Sequence, residues 1–216
     1  NGRDRVPLHY GHIAMQTILN NTQFAVRQNQ KDGIFLTAAA LSYDVLEPAG
    51  QQSLLNTTEP KLNWYVKLCR IDRRYRGYTP FHLTFAKPDG APVMSIKRGW
   101  AYGSMYRPAI EIRDAGGTLI GTLKQAFSPI HARFDALDAH GKPLFSVKGD
   151  WADWDFKFLQ GERQIAFLTK GSGERLLTEL ASTRDNYSLQ INDDVPAPLR
   201  QLILAIAVAV DISRNE

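Results

Sequence analysis

The sequence predicts an all-β protein, its strands closed into a barrel or packed as a sandwich, with one apolar segment set apart at the C-terminus. Two observations predict it. Runs of alternating apolar and polar residues recur along the chain, most of them ending in a turn rich in Gly, Asp or Pro. Half-buried antiparallel strands joined by hairpins carry that pattern. The 216 residues are also 44% hydrophobic and 22% charged, enough apolar chain to bury a core and too apolar for a disordered polypeptide.

The elements follow in order. Residues 43–46 alternate before Glu47, Pro48, Ala49 and Gly50. Phe81, Leu83 and Phe85 alternate before Pro88, Asp89 and Gly90, and Ile110 and Ile112 do so before the turn at 114–117. Phe134 and Ala136 lead to Ala139, His140 and Gly141, with residues 144–147 returning. Phe156 and Phe158 precede Gln160 and Gly161, with residues 165–168 returning. The spacing of these units, roughly 20 to 40 residues, is too irregular for a propeller or a solenoid.

At the C-terminus Pro196 and Pro198 precede nine consecutive apolar residues, 202–210. A Pro at the first helical position and an interior without Gly or Pro suit a helix. A helix apolar on every face must be enclosed by protein or by lipid. From residue 198 to 212 a helix would run roughly 22 Å at ~1.5 Å per residue, against a hydrocarbon core of ~30 Å, which favours enclosure by protein. A strand is the remaining alternative, since Leu204, Ile206, Val208 and Val210 alternate with Ala205, Ala207 and Ala209.

Charge and cysteine content narrow the function classes. Lys and Arg number 26 against 22 Asp and Glu, a net charge of +4, compatible with an anionic partner but far from a histone-like excess. The lone Cys69 can make neither an intrachain disulfide nor a multi-cysteine zinc site, which fits a reducing compartment. No secretory signal is visible, because the apolar stretch 13–19 is interrupted by Gln16 and Thr17.

The whole pattern resembles the phospholipid scramblases and their tubby-like and LURP-one-related relatives. The likeness runs from about residue 18 to 214. It begins with residues 18–28, similar to that family's opening strand, and continues through 43–46, 80–85, 94–98, 110–112, 120–125 and 145–149. Residues 185–191 followed by the apolar segment are its most specific part. The resemblance implies a closed antiparallel barrel of about twelve strands around a hydrophobic C-terminal helix, with residues 1–17 as a leading arm and 18–216 as one barrel domain.

This chain departs from the family at three places. The cysteine clusters that carry fatty acyl chains in scramblases are absent from the matching loops, 99–107 and 150–154. The segment matching the family's calcium site keeps Asp185, Asp193 and Asp194 as weak calcium candidates, but Thr183 and Arg184 stand where oxygen ligands and low positive charge would help. The alternative for Asp193 and Asp194 is a solvated turn before the helix. The family's Pro-rich tail is not found in residues 1–17.

Two groups of residues are candidates for membrane contact. Trp100, Tyr102 and Tyr106 lie in one of those loops, Trp151 and Trp154 in the other. Amphipathic rings suit the headgroup zone of a bilayer; the alternative is that they plug the barrel end. The densest basic stretch holds Lys67, Arg70, Arg73, Arg74 and Arg76, with Lys97, Arg98 and Arg107 as extensions, and such clusters with aromatics bind anionic lipid headgroups or nucleic-acid phosphates. Its alternative is a solvated loop or edge strand protected by charge.

No catalytic constellation is expected. His9 and His12 lack acidic partners, and His82, His131 and His140 are scattered. Residues 170–173 match no phosphate loop, and no nucleophile elbow, zincin helix or dinucleotide fingerprint occurs. These absences argue against an enzyme and the lone cysteine fits the cytoplasm, while the resemblance implies a role at membranes, peripheral at the inner face. That role is the binding of anionic phospholipid, with scrambling as the further step. The alternative is a soluble protein- or nucleic-acid-binding regulatory module on the same barrel.

Overall fold

The computed structural model describes residues 18–29, 40–48, 52–102, 108–126, 132–150, 154–170 and 186–214. Twelve strands form a closed barrel in the order β1-β12-β11-β10-β9-β8-β7-β6-β5-β4-β3-β2, every neighbouring pair antiparallel. They are β1 (Gln23–Gln28), β2 (Tyr43–Leu46), β3 (Ser53–Thr58), β4 (Phe81–Ala86), β5 (Pro92–Arg98) and β6 (Ile110–Asp114), followed by β7 (Leu119–Ala126), β8 (Ala132–Asp138), β9 (Pro143–Asp150), β10 (Asp155–Gln160), β11 (Arg163–Lys170) and β12 (Asn186–Ile191). Pairing of β1 with both β2 and β12 leaves the sheet without an edge.

The alternation seen in the sequence becomes inside and outside. Phe81, Leu83, Phe85, Ile110, Ile112, Phe156 and Phe158 point into the core, while Lys97, Lys124, Lys148 and Lys157 lie exposed on the outer face. The turns are the predicted ones. Gly90 and Gly117 take φ of 85° and 83°, the left-handed region open to glycine, and Asp89, Asp114 and Asp138 accept backbone N–H groups within their turns.

Helix α3 (Ala197–Arg214) fills the barrel. Leu202 through Ile212 are all buried, including the small Ala205, Ala207 and Ala209, so the segment is a helix wrapped by strands rather than a further strand. Helix and strand come so close at one point that a Cβ on Gly121 of β7 would lie 2.8 Å from the Leu137 carbonyl and 2.9 Å from a Leu202 methyl. Arg200 secures the first turn, donating to the carbonyls of Val195 (2.7 Å), Leu19 (2.9 Å) and Asp193. Near the far end the Tyr43 hydroxyl donates to the buried Asp211 carboxylate at 2.7 Å.

Because neighbouring strands alternate in direction, their connections alternate between the two barrel ends. The short hairpins after β4, β6, β8 and β10, and the start of α3, share one end. The last residues of β1, β3, β5, β9 and β11, and the first residues of β2, β4, β6, β10 and β12, lie at the other. Two short helices occupy that second end, α1 (Trp64–Ile71) and α2 (Arg73–Arg76). The basic stretch is thus neither a loop nor an edge strand but a pair of helices hinged at Asp72, whose extended backbone breaks α1 and whose side chain accepts the Arg74 N–H at 2.9 Å.

Candidate membrane-facing site

At the α1 end the candidate residues divide into those that face outward and those that hold the helices down. Helix α1 buries Val66 and Arg70, four residues apart on one face. Arg70 donates to both carboxylate oxygens of Glu59, at 2.6 and 2.7 Å, and also to Thr79 Oγ1 and the Pro80 carbonyl. Both partners of this ion pair are enclosed, and the same carboxylate accepts the Leu41 N–H. Arg98 is buried as well. It donates to the carbonyls of Gly77 and Thr79 and lies 4.9 Å from the Phe81 ring centre. Both arginines leave the list of surface anion contacts, because their guanidinium groups are occupied inside the fold.

Other cations remain outside. Arg74 is exposed and paired with Asp72 at 3.1 Å, Lys67 is half-buried, and Lys61 and Lys97 are exposed. Asp72 is held below the ordinary carboxylate range by its hydrogen bonds from the Arg74 side chain and backbone. His82, across the ladder from Lys97, is pushed below the usual imidazole value first by partial burial and then by the Lys97 charge. Only the backbone of Arg73 and Arg76 is described, and Arg107 lies outside the described residues.

The aromatic candidates separate in the same way. Trp154 is buried, with φ of 59°, its ring 4.9 Å from Tyr187 and 6.0 Å from Phe156, and with Lys170 Nζ 5.0 Å above it. It plugs the barrel end and does not form a rim. Trp100 is half-buried and stacks on Tyr65, the ring centres 6.3 Å apart and the planes at 17°. Tyr102 is 71% exposed. Tyr106 and Trp151 lie outside the described residues.

Sequence reasoning overlooked one exposed aromatic. Trp64 is 72% exposed, and Leu68 and Ile71, at 52% and 41%, continue its face at i+4 and i+7. Tyr65 and Tyr75 are exposed beside them. The signal was available in the spacing of Trp64, Leu68 and Ile71, but it identifies an outward face only once Arg70 is known to point inward.

The calcium candidates do not assemble. Asp193 and Asp194 form an exposed turn before α3; Asp194 pairs with Arg163, and the Asp193 carbonyl accepts from Arg200. Two guanidinium groups at this turn oppose a calcium ion. Asp185 lies outside the described residues, among which no cluster of three His, Cys, Asp or Glu could hold a metal.

Comparison with known proteins places this architecture. The family model described as LURP-one-related matches residues 53–211, from the start of β3 almost to the end of α3. No curated protein matches the chain. The X-ray structure of an Arabidopsis thaliana protein is similar at 16% identity, covering 88% of this chain and 91% of that one with a TM-score of 0.51. That likeness is one of fold.

Proposed function

This chain belongs to the LURP-one-related family of tubby-like barrels, and on that premise we propose that it is a non-enzymatic protein that binds the surface of anionic phospholipid membranes peripherally. The observation that carries the reading is the gathering of Trp64, Tyr65, Leu68, Ile71, Tyr75 and Tyr102, all exposed, with Lys61 and Lys97 at one end of the barrel. Apolar and aromatic side chains beside cations suit a bilayer surface, where rings occupy the headgroup zone and lysines meet lipid phosphates. The cytoplasmic leaflet, rich in anionic lipid, is the surface that matches.

The reading stops at binding. Moving phospholipid between leaflets needs a polar path across ~30 Å of hydrocarbon, and the apolar stretch of α3 is enclosed by its own strands. Among the described residues no helix is long and apolar enough to cross a membrane, and the lysines on the outer face of the strands would meet lipid in a spanning barrel at high cost.

Flotation tests the reading. The protein is mixed with vesicles of phosphatidylcholine alone, with added phosphatidylserine, or with added phosphoinositide, beside a DNA mobility-shift assay across a salt series. Rising flotation with anionic lipid is the expected result. Binding to DNA without flotation would instead support the nucleic-acid-binding alternative.

A further inference from the structure

Helix α1 is built inside out. A surface helix ordinarily turns its apolar stripe toward the core, whereas here Trp64, Leu68 and Ile71 form an i, i+4, i+7 stripe that faces solvent. The inward face carries Val66 and a charged residue, Arg70, held by the enclosed Glu59 carboxylate. An ion pair therefore fixes which way the helix faces, and it holds the apolar stripe outward. Tyr75 on α2 and Tyr102 after β5 are exposed at the same barrel end.

The charges around the stripe indicate what covers it. Lys61 and Lys97 are exposed and Lys67 is half-buried, while Asp72 is taken by Arg74. An apolar stripe bordered by tyrosines and lysines matches the layering of an anionic bilayer interface, apolar below and phosphate above. Two arginines that would strengthen a purely electrostatic contact, Arg70 and Arg98, are turned into the fold, which shifts the weight from charge to apolar insertion.

Resting on the peripheral-binding reading above, we infer that α1 is the inserting element: Trp64, Leu68 and Ile71 seat in the bilayer interface, and this insertion supplies most of the adhesion. The tyrosines stand at headgroup depth, and the lysines steer approach. The partner is the lipid interface itself and not a single headgroup held in a pocket. At eight residues, or roughly 12 Å, the helix is short enough to lie flat in that layer.

The test uses the full chain, the triple variant Trp64→Ser, Leu68→Ser, Ile71→Ser, and vesicles of phosphatidylcholine with phosphatidylserine at about 0.1 M and about 0.5 M salt. The wild type is expected to stay bound at the higher salt, and the triple variant to lose at least about tenfold in partitioning at both. Circular dichroism and thermal melting check that the variant folds. As a measurement independent of it, lipid brominated on the acyl chain should quench wild-type tryptophan fluorescence, and Trp64→Phe should remove most of that quenching. If binding vanishes at the higher salt and the triple variant binds as well as the wild type, headgroup charge holds the protein and the inference falls while peripheral binding stands. If the wild type binds no vesicle, both fall.

Discussion

Arg70 shows how one side chain can look like a ligand contact and be a structural bolt. Its guanidinium satisfies Glu59 twice, Thr79 and a backbone carbonyl, so Glu59→Gln would leave an enclosed cation without its counter-charge. Breaking one side of a buried pair costs about 3–5 kcal/mol, and urea unfolding should show a loss of that order; a loss below about 1 kcal/mol would mean that the pair does not hold α1. Turn aspartates act at the other barrel end. Asp138 sits below the ordinary carboxylate value, chiefly because it accepts the Lys142 N–H, and Asp89 does so chiefly through Lys87. A depressed carboxyl binds fewer protons folded than unfolded, so its stabilisation is present above the unfolded value and is lost as pH falls through the folded one. Melting temperature should therefore drop below about pH 4, and drop less steeply in Asp138→Asn; equal slopes would contradict the assignment. The sequence showed these turn aspartates, because an Asp one to three residues before a Gly marks a turn that both residue types favour. It did not show the direction of Arg70 or Arg98, because a run of cations carries no mark of which ones have a carboxylate or a carbonyl waiting across the fold.

Among the elements, α3 and α1 differ in how far sequence alone specifies them. Residues 202–210 are apolar without interruption, so burial followed directly, yet the alternation of larger residues with alanine fits a strand as well as a helix. Twelve strands closing without a vacancy decide the matter, since the segment then has only the interior to occupy. Its packing makes sharp predictions. Ile206→Ala opens a cavity at a fully buried position and should cost about 2–5 kcal/mol. Gly121→Ala should cost about 1–3 kcal/mol, because the new methyl meets a carbonyl of the neighbouring strand as well as Leu202. Denaturant melts of the two variants measure both, and wild-type stability in Gly121→Ala would show that the helix can shift away. Helix α1 carries helical spacing at Trp64, Leu68 and Ile71, but the sequence did not show that this stripe faces outward. Only two of its residues are buried, and one of those is an arginine, so it lacks the inward apolar periodicity by which surface helices are recognised.

The molecule as a whole is a barrel with two unlike ends, and that asymmetry organises the functional reading. One end carries the tight hairpins with their turn aspartates and the start of α3, where Arg200 and the Arg163–Asp194 pair lie. The other gathers the two short helices and the exposed Trp64, Tyr65, Tyr75 and Tyr102. Strand alternation was legible in the hairpin repeats, which left barrel and sandwich open, and the resemblance supplied the closure and the central position of the helix. The sorting of side chains at the chemical end was not, because it depends on contacts between segments far apart in the chain, such as Trp100 on Tyr65 and Trp154 on Tyr187. Hydrogen exchange of the protein free and bound to phosphatidylserine-containing vesicles tests the central claim most directly. Slowed exchange confined to residues 64–76 and 98–102, with the hairpins at 87–91, 115–118 and 139–142 unchanged, is the predicted result. Protection at the hairpin end, or spread evenly over the outer face of the strands, would contradict it.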